Sequence, residues 1–163
     1  MEDFLFMEIG QALALLGAAI AVGLSGIGSS RGVGAAGETA SAVASENPEV
    51  AGKLLVLQLL PATQGIYGFL IAVIVLIKLQ ILGGAMAAVT VEQGLLFIAG
   101  CLPIGLVGLF SAIYQGKVAA SAMVMTGEHP DMSGRGITMT VMVETYAVLS
   151  LLVSFLVINS IVL

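Results

Sequence analysis

The chain has 163 residues, of which 59% are hydrophobic and 9% charged, with a formal net charge of −5. A mean hydropathy of +1.13 excludes an ordinary soluble domain and points to a membrane class. The acidic balance, with no basic patch, removes the electrostatic case for nucleic acid as a partner.

Four apolar runs follow one another, at 9–30, 54–77, 93–116 and 137–163, the last interrupted only by Glu144. Each has at least 22 residues, enough to cross ~30 Å of hydrocarbon as a helix. The opening MEDFLFMEIG carries Glu2, Asp3 and Glu8 where a secretory signal would be basic, so the first run is expected to stay attached. The second run contains LLPATQGIYG, with Pro61 inside it. Proline lacks an N–H and clashes with the preceding turn, which predicts disturbed carbonyls at Leu57 to Leu60. A middle connection, QILGGAMAAVTVEQG, leads to the third run, which holds Gln115 and the lone Cys101, read as a packed, inert thiol. The lone His129 in GEHPD has no second ligand nearby in the sequence and reads as a loop residue.

The two halves repeat. At an offset of 82 residues SENPEVAGK (45–53) aligns with GEHPDMSGR (127–135), so that glutamate, proline, an acid, glycine and a base recur in register. The expected fold is an all-α membrane protein with four transmembrane helices, arranged as two tandem-duplicated hairpins, 1–82 and 83–163. Basic residues Arg31, Lys53, Lys117 and Arg135 flank the two hairpin loops, against Lys78 alone near the middle connection. That bias favours cytoplasmic loops and both termini outside. The first helix of each hairpin is rich in glycine (Gly17, Gly23, Gly26, Gly28, Gly32, Gly34 and Gly37; Gly94, Gly100, Gly105, Gly108 and Gly116), which lets backbones approach closely in lipid. The second helix of each is richer in Leu, Ile and Val. This pattern suggests a ring of many copies, with helices 1 and 3 crowded on its inner wall and helices 2 and 4 facing outward.

A charge in the bilayer costs at least ~2.5 kcal/mol, so Glu144 needs a partner. Counting ~1.5 Å per residue from the loops puts Glu144, Gln64 and Gln115 at depths of roughly 14, 16 and 18 Å. Leu60, Gln64 and Tyr67 share one helix face, with Thr63 beside it. One carboxylate, a hydroxyl, two amide oxygens and a backbone carbonyl form a hard oxygen set suited to an alkali or alkaline-earth cation. With one anionic donor, Na+ leaves the site neutral; H+ is the alternative cargo, though it does not require two glutamines and a threonine. Tyr67 and Thr145 are placed to donate hydrogen bonds to the carboxylate. With a two-residue slip PATQG aligns with MVETY, setting Gln64 opposite Glu144 and leaving one charge per four helices.

The stretches SGIGSSRGVG (25–34), LQLLPATQGIYGF (57–69), GLFSAIYQGKVAA (108–120) and MVETYAVL (142–149) carry a resemblance that spans nearly the whole chain. It resembles the proteolipid rotor subunits of V-type ATPases, most of all the sodium-translocating bacterial members. The resemblance implies a ring of about ten copies in a bacterial cell membrane. It implies ion ligation by Glu144, Gln115, Gln64, Thr63 and the Leu60 carbonyl, with Tyr67 holding the carboxylate. It further implies a stator subunit with a channel arginine, central-stalk subunits on the cytoplasmic face, surrounding lipid, and no catalysis in this chain, which lacks a GxxxxGK[ST] phosphate loop. A rival from another class is a small proton-coupled exporter of cationic drugs. Its pocket would be lined with aromatic faces, whereas this chain has no tryptophan and, near the acid, only Tyr67 and Tyr146.

Overall fold

The computed structural model describes the backbone of residues 2–84 and 86–163. The side chains of residues 2–7, the acids Glu2 and Asp3 among them, and of Leu82 and Ala85 lie outside the described residues. Among the described residues all regular structure is helical: α1 (Glu2–Glu46), α2 (Ala51–Leu59), α3 (Thr63–Lys78), α4 (Val91–Glu128) and α5 (Ser133–Ser160). A 3₁₀ turn, Leu60–Ala62, joins α2 to α3 in one continuous rod. Four spans result: Glu8–Glu46, Pro48–Lys78, Val91–Glu128 and Pro130–Ser160. The helices outrun the apolar segments. Those segments mark only the part that must meet hydrocarbon, and flanks such as the Ala- and Glu-bearing end of α1 keep a helix going beyond it.

The duplication is written in the backbone. The loop of the first hairpin turns at Asn47 (φ −134°, ψ 83°) into a 3₁₀ turn, Pro48–Val50. The loop of the second turns at His129 (φ −132°, ψ 83°) into Pro130–Met132. Asn47 N donates to Val43 O at 2.9 Å and His129 N to Met125 O at 2.8 Å, the same closing bond in each half. The two loops also hold each other: Asn47 Nδ2 donates to Gly127 O at 3.1 Å and Lys53 Nζ to Pro130 O at 2.8 Å.

Helices α1 and α4 lie along one another, α3 packs on α1, and α5 packs on α4 and α3. Glycine sets the α1–α4 approach. A Cβ on Gly116 would meet the backbone of Gly32, and one on Gly94 would lie 2.5 Å from Gly10 O. In the second hairpin the second helix is clearly the more exposed one. Only 22% of the most apolar window of the fourth span is buried, against 44% for the third, and Tyr146, Leu149, Leu152 and Leu156 face outward.

At the end away from the hairpin loops, the middle connection folds back onto α1. Gln11 Nε2 donates to Ala87 O at 2.9 Å, and Val89 is fully buried. Thr90 and Gln93 form a reciprocal capping box that starts α4. Lys78, at the end of α3, donates to the carbonyls of Ile158, Asn159 and Ile161 at 2.9, 3.1 and 2.7 Å. An ammonium thus caps the last turn of α5, where the helix dipole is negative.

Two apolar clusters stack along the bundle. One contains Ile71, Phe97, Cys101, Ile104 and Ile158; the other contains Leu54, Leu57, Ala119 and Met123. Between them, at mid-depth, lies a buried polar layer of Gln64, Ser111, Gln115 and Thr140. Lipid supplies no hydrogen bonds, so such a layer must satisfy itself. Among the described residues it does: no buried side-chain nitrogen or oxygen lacks a partner.

Candidate ion-binding site

Three helices build the polar layer. On the first hairpin Pro61 breaks the α-helical ladder, and the chain tightens into the 3₁₀ turn Leu60–Ala62 before resuming as α3. The Leu60 carbonyl accepts both the Thr63 N–H and, at 2.9 Å, the Thr63 hydroxyl. The Thr63 Oγ1 also lies 3.3 Å from Gln64 Oε1, so three neutral oxygens gather within one turn. On α4, Ser111 and Gln115 are one turn apart and face the same way. On α5, Thr140 and Glu144 have the same spacing.

Glu144 is half-buried at the edge of this layer. The Tyr67 hydroxyl donates to its Oε1 at 2.5 Å, and Gln115 Nε2 approaches its Oε2 at 3.4 Å. Gln115 Nε2 also donates to Thr140 O at 3.1 Å. Gln64 Nε2 donates to Gln115 Oε1 at 2.5 Å and to Ser111 Oγ at 3.3 Å, and Ser111 Oγ donates to Val143 O at 3.1 Å. Both glutamines are completely buried. Among the described residues the groups bonded to Glu144 are neutral; the ammonium of Lys117, on the same helix as Gln115, lies over the Tyr114 ring, 5.0 Å from its centroid.

Glu144, Gln115, Gln64, Thr63, Tyr67 and the Leu60 carbonyl are therefore gathered in one hydrogen-bonded layer. Thr145 is not. It is exposed, and its hydroxyl donates to the Met142 carbonyl of its own helix. Adjacent residues on a helix point about 100° apart, so the neighbour of Glu144 in sequence is not its neighbour in space. Ser111 and the carbonyls of Thr140 and Val143 belong to the layer but were missed by sequence reasoning. The available signal was the four-residue spacing from Ser111 to Gln115.

Chemically the layer offers one carboxylate beside hydroxyl, amide and carbonyl oxygens. No three His, Cys, Asp or Glu converge among the described residues. Such a set matches a hard cation of low charge and is unlike a zinc or copper centre.

Four apolar spans, duplicated as hairpins around a neutral polar layer with one carboxylate at its edge, define a membrane proteolipid. The profile of the ATP synthase C-subunit family matches the chain twice, at residues 16–75 and 98–157. The chain belongs to that family, and the starts of the two matches, 16 and 98, lie the same 82 residues apart as the repeated loops. It is 46% identical over 157 residues to the V-type sodium ATPase subunit K of Enterococcus hirae, covering 96% of this chain and 97% of that one. It is 38% identical over 144 residues to the A-type ATP synthase subunit K of Methanocaldococcus jannaschii, covering 88% of this chain and 60% of that one.

Proposed function

We propose that this chain is the rotor subunit of a V-type ATPase and carries Na+ across a bacterial cell membrane, bound at Glu144, Gln115, Gln64, Thr63 and the Leu60 carbonyl. The observation that carries this reading is the pairing of a half-buried membrane carboxylate with wholly neutral partners, Tyr67 and Gln115. A monovalent cation brings the missing positive charge, and neutral oxygens replace its water. The sodium ATPase relative, matched over nearly its whole length, supports the same cargo.

The duplication supports a ring. On α4, Gly105, Gly108 and Gly116 face Ile20, Ser25 and Gly32 of α1. Displaced by 82 residues, these three glycines correspond to Gly23, Gly26 and Gly34 of α1, where an added Cβ would meet nothing within 4 Å. By repeat symmetry the open face of α1 accepts α4 of the next copy, near the equivalents of Ile20, Ser25 and Gly32, which are Leu102, Val107 and Tyr114. A head-to-tail contact of this kind closes into a ring when its rotation allows.

In this reading the hairpins 1–82 and 83–163 each contribute one inner and one outer helix. The termini lie outside and the hairpin loops face the cytoplasm, where central-stalk subunits dock. A stator subunit admits the ion to Glu144 and discharges it near an arginine. Between those points the neutral site passes through lipid. Moving one charge against ~100 mV costs ~2.3 kcal/mol, supplied by ATP hydrolysis in other subunits, so this chain is a non-catalytic carrier.

The test is modification of Glu144 by a hydrophobic carbodiimide in the purified oligomer. Millimolar Na+ at alkaline pH is expected to block the reaction; no protection would assign the rotor to H+. A projection image is expected to show a large ring, and a dimer would instead favour a small exporter.

A further inference from the structure

Ser111 lies on α4 one turn before Gln115, 7% exposed, and it is not among the ligands proposed above. A hydroxyl has one proton, and that of Ser111 goes to the Val143 carbonyl at 3.1 Å. A carbonyl cannot return a proton. The Ser111 oxygen is therefore left to accept, and it accepts Gln64 Nε2 at 3.3 Å. Gln115 obeys the same logic: the Thr140 carbonyl accepts its Nε2 at 3.1 Å, which turns Gln115 Oε1 toward Gln64 Nε2, 2.5 Å away. Two backbone carbonyls of α5 thereby set the direction of both amides. Were Gln64 flipped, its Oε1 would face the oxygens of Ser111 and Gln115 with no proton between them. In the observed direction Gln64 Oε1 points instead to the Thr63 side, 3.3 Å from Thr63 Oγ1.

We infer that Ser111 is a positioning residue for the cation: its hydroxyl, polarised by Val143 O, holds the Gln64 amide so that its carbonyl oxygen faces the ion. This rests on the sodium reading of the site. Groups that orient ligands in this way commonly change metal affinity tenfold or more when removed.

Assembled oligomers of the parent, S111A, S111T and S154A test it by carbodiimide labelling of Glu144 across a Na+ titration. Ser154 is the control, because its Oγ accepts Ile104 N at 3.1 Å and joins the same two helices ten residues along α5 from Glu144. S111A is expected to need about tenfold more Na+ for half-protection. Its labelling rate without Na+ should equal the parent's, because the Tyr67 and Gln115 bonds to Glu144 remain. S111T and S154A are expected to behave as the parent. Parent-like protection in S111A overturns the inference, as does equal weakening in S154A or failure of S111T to restore affinity. A parent that Na+ does not protect overturns the sodium reading itself; a protected parent with an unaffected S111A sinks only the role given to Ser111.

Discussion

The two hairpins repeat one plan but hold different halves of one chemistry. With the two-residue slip Gln64 on α3 falls opposite Glu144 on α5, yet the amide is completely buried whereas the acid sits half-buried at the rim. The first hairpin contributes the broken helix at Leu60–Ala62 and Tyr67; in the same alignment α5 runs unbroken through 140–142 and carries Ala147. Ser29 and Ser111 are likewise repeat-related. Ser29 Oγ accepts the Gly65 N–H at 2.7 Å, whereas Ser111 Oγ donates to Val143 O at 3.1 Å. Duplication thus supplied two equivalent scaffolds. Divergence then left the carboxylate, with Gln115 and Ser111, on one and the broken turn, Thr63, Gln64 and Tyr67 on the other.

Erasing the difference should have the largest effect. Glu144→Gln makes the halves alike in charge, and Na+-dependent transport is expected to fall at least a hundredfold, because no anion remains to balance the cargo. Carbodiimide labelling of the chain should vanish while the oligomer survives, since the half-buried side chain keeps nearly the same volume. Retained transport in that variant would remove Glu144 from the mechanism.

The packing comparison is sharpened by repeat-related glycines. Gly116→Ala drives a Cβ into the backbone of Gly32 and is expected to cost about 1–3 kcal/mol of stability. Gly34→Ala, the same change 82 residues earlier, meets open space within the chain and should leave its fold within about 0.5 kcal/mol. Thermal unfolding in detergent separates them. Under the ring reading, Gly34→Leu should break the oligomer while sparing the single chain, as size measurement in mild detergent would show.

The polar layer was largely legible in the sequence because lipid makes any polar side chain conspicuous. Glu144, Gln64 and Gln115 stood out in apolar runs, and counting helical rise placed them at one level. Pro61 announced the disturbed turn, found as the 3₁₀ turn Leu60–Ala62. Serine and threonine were harder to read, because a helical hydroxyl can satisfy itself on the carbonyl three or four residues back. Thr145 does so at Met142, while Ser111 instead reaches across to α5. Only three-dimensional packing separates the two. The fold-back of the middle connection was equally hidden, since QILGGAMAAVTVEQG gives no sign that Ala87 meets Gln11.

Tyr67→Phe probes the contribution of the uncharged hairpin at the smallest scale. The substitution removes the hydroxyl that donates to Glu144 Oε1 at 2.5 Å and leaves the Gln115 contact in place. Hydrogen bonds to charged groups are worth about 1.5–3 kcal/mol, and water or a rotated carboxylate recovers part of that at a half-buried site. Na+ affinity is therefore expected to fall about fivefold to tenfold, read as the Na+ concentration that half-protects Glu144. If the tyrosine were only packing, Tyr67→Phe would leave that concentration unchanged, and the first hairpin's share would reduce to the oxygens of Leu60, Thr63 and Gln64. Pairing Tyr67→Phe with S111A divides the affinity between two routes, one acting on the acid and one on the amide. Their free-energy losses should fail to add by more than about 0.5 kcal/mol, because one chain of hydrogen bonds runs from Tyr67 through Glu144, Gln115 and Gln64 to Ser111; additivity within that margin would mean that the two ties act independently.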